Sequence, residues 1–195
     1  AEYGIYTYAN GQLKKETQLD ALLPDKSVYG ILRDRQGKLW IGTYGGGIAI
    51  FDSNNKTVAK LNTSTNFCSN AINHLHMDNQ GGIWIATRNG IGYIKDTSHP
   101  GEFELYGYKQ GLEDTFVRTI QEDASGNIWL STNNGISRWN KQKQNFDNYD
   151  YRDGIPMGNF IEGSACRTED GTLYFGSLNG VCYFNPENLI TERQV

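Results

Sequence analysis

His74 and His76 stand two residues apart, a spacing that on a strand turns both imidazoles to one face, as metal ligands need. Only His99, in the Thr97–Gly101 stretch, could add a third imidazole. Cys68, Cys166 and Cys182 are an odd number with no C-x-x-C spacing, so they read as free thiols and supply neither a disulfide framework nor a structural zinc site. The Asp-x-x-Gly tetrads lack the alternating acidic ligands and closing Glu of a calcium loop. Neither a G-x-S-x-G nucleophile elbow nor a G-x-x-x-x-G-K-[ST] phosphate loop occurs. No catalytic group, metal or cofactor is therefore expected. What remains is recognition chemistry. Tyr29, Tyr44, Phe116 and Phe160 offer ring faces, while Asn73, Arg88, Arg118, Asn133 and Asn159 offer donors. That mixture suits stacking on, and hydrogen bonding to, neutral or acidic sugars.

These residues are distributed along a repeat. The segments DRQGKLWIGT (34–43), DNQGGIWIAT (78–87), DASGNIWLST (123–132) and TEDGTLYFGS (168–177) align without gaps. Their aromatic anchors Trp40, Trp84, Trp129 and Tyr174 follow one another by about 45 residues. A partial copy opens the chain, where Gly4-Ile5-Tyr6-Thr7-Tyr8 matches Gly47-Ile48-Ala49-Ile50-Phe51. Repeats of this length built from short strands predict propeller blades. Each reads as an inner strand, an Asp-x-x-Gly turn, a strand apolar on both faces, a hairpin, a third strand and a polar outer strand. Asn89-Gly90, Asn134-Gly135 and Asn179-Gly180 predict type I′ hairpins, replaced by Gly45-Gly46-Gly47 in the first complete blade. At the positions of His74 and His76 the other blades carry Gly30/Leu32, Thr119/Gln121 and Ser164/Cys166, which favours ordinary strand histidines over a metal site.

The fold class expected is all-β: a β-propeller arc of about four to five four-stranded antiparallel blades. Its parts are two trailing strands (1–20), three blades (27–64, 70–108 and 115–150) and a last blade with three recognisable strands (158–190). A short helical turn fits near Gln18–Leu23. Because a third strand appears at both termini, the arc does not close as a ring of four, and we expect a fragment of a larger propeller. Its open blade faces would be covered by further blades or by self-association.

Composition agrees with strands and turns. Of 195 residues 23 are Gly, 19 are Asn and 12 are Tyr, against only 4 Pro, so tight turns between aromatic strands outweigh helix or disorder. A net charge of −4 argues against electrostatic nucleic-acid binding. No apolar run approaches the ~20 residues of a membrane span.

The pattern D-x-x-G-x-[IL]-W-[IL]-[GAS]-T-x-x-G-[IL] resembles the two-component regulator propeller repeat. Trp40-Ile41-Gly42-Thr43-Tyr44-Gly45-Gly46-Gly47 is similar to its most characteristic stretch. Tyr149, Asp153-Gly154-Ile155, Asn159-Phe160, Gly171–Gly176, Asn179-Gly180-Val181 and Phe184-Asn185-Pro186 resemble the segment that closes the second propeller in that family. The departures are Thr168 for Asp and Tyr174 for Trp. The resemblance implies the periplasmic sensor region of a Bacteroides-type hybrid two-component histidine kinase, a non-enzymatic module that detects an oligosaccharide and regulates glycan use. Membrane and kinase segments would lie outside this stretch. The alternatives are a propeller that binds protein partners, or a streptogramin-lyase-like or sialidase-like enzyme. No sialidase-type arginine triad can be assembled by repeat position, and no paired His and Glu of the lyase kind falls on adjacent blades.

Overall fold

The computed structural model describes residues 4–155 and 159–189. The blade limits proposed at residues 1, 158 and 190 lie outside them. A hairpin of β1 (Tyr6–Ala9) and β2 (Gln12–Lys15) leads to helix α1 (Thr17–Leu22). The first blade is β3 (Val28–Arg33), β4 (Leu39–Thr43), β5 (Gly47–Phe51) and β6 (Thr57–Leu61). The second is β7 (Ile72–Met77), β8 (Ile83–Thr87), β9 (Gly90–Ile94) and β10 (Glu104–Tyr106). The third is β11 (Thr119–Glu122), β12 (Ile128–Ser131), β13 (Ile136–Asn140) and β14 (Asn145–Tyr149). The fourth has β15 (Phe160–Arg167), β16 (Leu173–Ser177) and β17 (Gly180–Phe184). Every sheet is an antiparallel meander, and no strand pairing joins the last blade to the first hairpin among the described residues.

Apolar faces explain why the blades stack. Strands β4, β5 and β8 are buried almost throughout, because each lies between two sheets and needs apolar side chains on both faces. Trp40, Ile48 and Ile50 of the first blade pack on Ile72, Leu75 and Ile85 of the second. Trp84 and Ile91 repeat the contact against Ile120 and Leu130, and Trp129 and Ile136 against Phe160, Leu173 and Phe175. The first blade's outer face is not left open as expected. Ile5, Leu19 and Leu23 cover Ile41, Ala49 and Phe51, so the β1–β2 segment and α1 supply the missing neighbour. At the other end Val181 (59%) and Tyr183 (67%) stay exposed.

The Asp-x-x-Gly turn and the Trp are one device. Asp34 Oδ1 accepts the amides of Gln36 and Lys38, while Oδ2 accepts Trp40 Nε1–H at 2.9 Å. Asp78 and Asp123 do the same for Trp84 (3.0 Å) and Trp129 (2.8 Å). The two departures in the fourth blade are thus a single change, since Tyr174 has no indole N–H and Thr168 no carboxylate. Tyr174 is half-buried and stacks on Tyr183 at 5.5 Å instead of sinking between blades.

The hairpins differ from the type I′ expectation. Asn89, Asn134 and Asn179 do not take positive φ; only Gly90, Gly135 and Gly180 do (φ 96°, 155° and 134°). The cause is the hydroxyl residue that ends each second strand. Thr87 Oγ1 accepts the Asn89 amide and donates to the Gly90 carbonyl, and Thr132 and Ser177 repeat both bonds. The residues that directly follow, Arg88, Asn133 and Leu178, are therefore held at the hairpin tip, as Tyr44 is after Thr43.

Candidate functional site

Two sets of repeat positions meet at one end of the arc. One set, at the start of the inner strands, is Tyr29, Asn73, Arg118 and Gly163. The other, at the hairpin tips, is Tyr44, Arg88, Asn133 and Leu178. Members of one blade face each other across the first and second strands. In the first blade Tyr29 and Tyr44 stack with centroids 5.2 Å apart. In the third, Arg118 Nε and Nη2 donate to Asn133 Oδ1 at 3.0 and 2.7 Å.

The second blade breaks this pairing. Asn73 is fully buried, and its Nδ2 donates at 2.7 Å to the Val117 carbonyl of the next blade. Arg88 is therefore left without its in-blade partner and lies over rings contributed by the blades on either side. Its guanidinium carbon is 4.4 Å from the Tyr44 centroid and 5.0 Å from that of Phe116. The Arg118 guanidinium follows, 3.9 Å from the Phe116 centroid. Tyr29, Tyr44, Arg88, Phe116 and Arg118 thus form one continuous stack of rings and cations across three blades. Asp114 braces it from below the tip, accepting the amides of Phe116 at 2.8 Å and Asn133 at 3.1 Å.

The two arginines differ in how their donors are used. Arg118 Nη1 also donates to Glu162 of the fourth blade, so its charge is matched and its fork occupied. Arg88 is exposed, and its guanidinium has no hydrogen-bond or carboxylate partner among the described residues.

Of the residues expected from sequence, Tyr29, Tyr44, Arg88, Phe116, Arg118 and Asn133 are brought together. Asn73 and Phe160 correct the expectation of an exposed rim. Asn73 ties two blades, and Phe160, 1% exposed, packs edge-on against Phe175 in the core. Asn159 is exposed but contributes its carbonyl to the Leu178 amide, and it shares no contact with the stack among the described bonds. Glu162 was not anticipated, because the repeat position of Tyr29, Asn73 and Arg118 falls on its neighbour Gly163.

His74 and His76 are half-buried on β7. His74 Nδ1 accepts the Ile120 amide at 3.3 Å, and burial, reinforced by His76, pushes its pKa down to about 4. His76 is also pushed down by burial, with Nε2 3.7 Å from Glu122 Oε2, while burial raises Glu122. His99 is exposed and pairs with Asp96 at 3.0 Å. Among the described residues no three His, Cys, Asp or Glu side chains converge as metal ligands. No helix among them is long and apolar enough to cross a membrane.

Comparison with known proteins matches the two-component regulator propeller repeat to residues 22–45, 66–89 and 111–134. The chain is 23% identical over 223 residues to histidine kinase P4 of Formosa agariphila, covering 88% of this chain and 16% of that protein. Among solved structures it is similar to the extracellular domain of a protein described as a hybrid two component system from B. thetaiotaomicron. There the identity is 40% and the TM-score 0.81, over 85% of this chain and 22% of that one. An inactive virginiamycin B lyase from Staphylococcus aureus shares the fold alone, at 19% identity and TM-score 0.63 over 84% of this chain and 57% of the lyase. The chain therefore spans less than a quarter of the Formosa agariphila kinase and of the B. thetaiotaomicron extracellular domain.

Proposed function

The chain is built of two-component regulator propeller repeats, and from that premise we propose that it is part of the periplasmic ligand-sensing region of a hybrid two-component histidine kinase. Its role is to bind an oligosaccharide without transforming it. The observation that carries this reading is the stack running from Tyr29 to Arg118 across three blades. Tyr29, 47% exposed, ends the stack with ring surface open to solvent, and an extended ligand lying along the hairpin tips meets polar edges from successive blades. The titratable groups on the inner strands support a binding role over a catalytic one, because His74 is bonded into the neighbouring strand.

The test is calorimetric titration of the purified protein with neutral and acidic oligosaccharides, with product analysis of each mixture. One class should bind and be recovered intact, and Tyr29→Ala should weaken it about tenfold, as expected when a stacking ring is lost. Absence of binding across the panel, or consumption of the sugar, refutes the proposal.

A further inference from the structure

We propose that the ligand of this site carries an anionic group, a uronate carboxylate, and that Arg88 is the residue that selects it. This rests on the sensing role proposed above and narrows it. The geometry leaves little choice of chemistry at the centre of the site. Tyr44 is already stacked on Tyr29 and covered by Arg88, and Phe116 carries Arg88 and Arg118. These inner rings have little face left for a sugar, so discrimination there falls to edge-on donors.

The guanidinium of Arg88 is the group equipped for that. Rings of the two neighbouring blades flank its guanidinium at 4.4 and 5.0 Å, and none of its N–H groups has a hydrogen-bond partner among the described residues. A flat fork of donors matches the two oxygens of a carboxylate. The neighbouring cation does not compete, because Arg118 is spent on Asn133 and Glu162. Both Asp114 oxygens accept backbone amides, and no ion pair joins a carboxylate to Arg88 among the described residues. The positive charge of Arg88 thus has no carboxylate partner among the described residues. The third blade shows what satisfies the same geometry: there an arginine over the same Phe116 ring meets a carboxylate, Glu162. A ligand carboxylate at Arg88 completes the pattern in the second blade.

The experiment titrates the protein with tetrasaccharides of galacturonate, mannuronate or glucuronate, each beside its carboxyl-reduced form and a neutral tetrasaccharide. At least one uronate series should bind. Carboxyl reduction should weaken it by about tenfold or more, as loss of a charge-assisted bidentate contact requires, and Arg88→Gln should weaken it equally. Arg88→Gln should not distinguish between the reduced and the uronate forms. Arg88 is exposed, so the variant should keep the parent melting temperature, which is measured alongside. If a neutral or reduced sugar binds and Arg88→Gln is indifferent, the anion inference falls and the sensing role stands. If no sugar of any series binds, both fall.

Discussion

Replacing Asp78 by Asn tests whether the Asp-x-x-Gly turn and the tryptophan anchor act as one unit. Asp78, 7% exposed, accepts the Gln80 and Gly82 amides on Oδ1 and Trp84 Nε1–H on Oδ2, all within 3.0 Å. An amide at this position can keep the two backbone bonds through its oxygen. Its NH2 then faces the indole N–H, donor against donor, inside a buried site. Losing a charge-assisted bond and stranding a buried N–H costs about 2–3 kcal/mol. Trp84→Phe removes the indole N–H, so in that background the same Asp78→Asn change should cost about 1 kcal/mol, reflecting only weaker turn bonds. The coupling expected from the double-mutant cycle is therefore about 1–2 kcal/mol. Urea denaturation followed by tryptophan fluorescence and far-ultraviolet circular dichroism measures it, with coincident transitions required before free energies are compared. Additivity of the two changes within about 0.3 kcal/mol would refute the linkage. In the fourth blade Thr168 Oγ1 donates to Asp170 Oδ1 and to the Thr172 carbonyl, so Thr168→Asp, which loses both bonds, sets two carboxylates together and finds no N–H on Tyr174, should lower stability.

Gly126 sits at φ 77° in the third Asp-x-x-Gly turn, and a Cβ there would approach Asn79 Nδ2 at 3.0 Å. Gly126→Val should lower stability by about 1–3 kcal/mol, and an unchanged melting temperature would contradict the turn assignment. Phe160→Ala should cost about 3–5 kcal/mol, as for a core ring; a small loss accompanied by weaker sugar binding would return Phe160 to the site. His74, neutral when folded, takes up a proton in the unfolded chain first. Its contribution is therefore present above the ordinary value of 6.5 and is lost as pH falls from there to about 4, by at most about 3 kcal/mol. Glu122, whose pKa is raised, works in the opposite direction and trims that loss. His74→Gln should narrow the gap between melting temperatures at pH 7 and pH 4.5; an equal gap in both proteins would show that His74 does not set it.

The fold was readable because packing enforces it once per blade. Trp40, Trp84 and Trp129 recur since each must fill the same gap between sheets and reach the same Asp oxygen. Other elements lacked such a constraint in the sequence. The hairpin type turned on the hydroxyls of Thr87, Thr132 and Ser177, which compete for the turn amides and override the Asn-Gly signal. The 3-10 turns Thr63–Thr65, Tyr108–Gln110 and Tyr151–Asp153 went unread because different residues close them, Asn66, Gly111 and Gly154, all left-handed. The burial of Asn73 was hidden for a related reason. Sequence places it at the position of Tyr29 and Arg118, but a short amide there reaches the Val117 carbonyl and turns inward.

That inward turn sets the second blade apart from its neighbours at this end of the arc. Positions that pack between blades cannot vary without cost, so they recur. Positions at the inner-strand start and the hairpin tip are not bound by that packing, and there each blade differs: Tyr with Tyr, Asn with Arg, Arg with Asn, Gly with Leu. In the first and third blades the two members satisfy each other. In the second, Asn73 is committed to its neighbour, and Arg88 must find contacts outside its own blade. It finds rings, which flank its guanidinium but leave its donors without a partner among the described residues. If a ligand binds this row, Arg88 is where it gains most, since Arg118 and Asn133 would have to break bonds first.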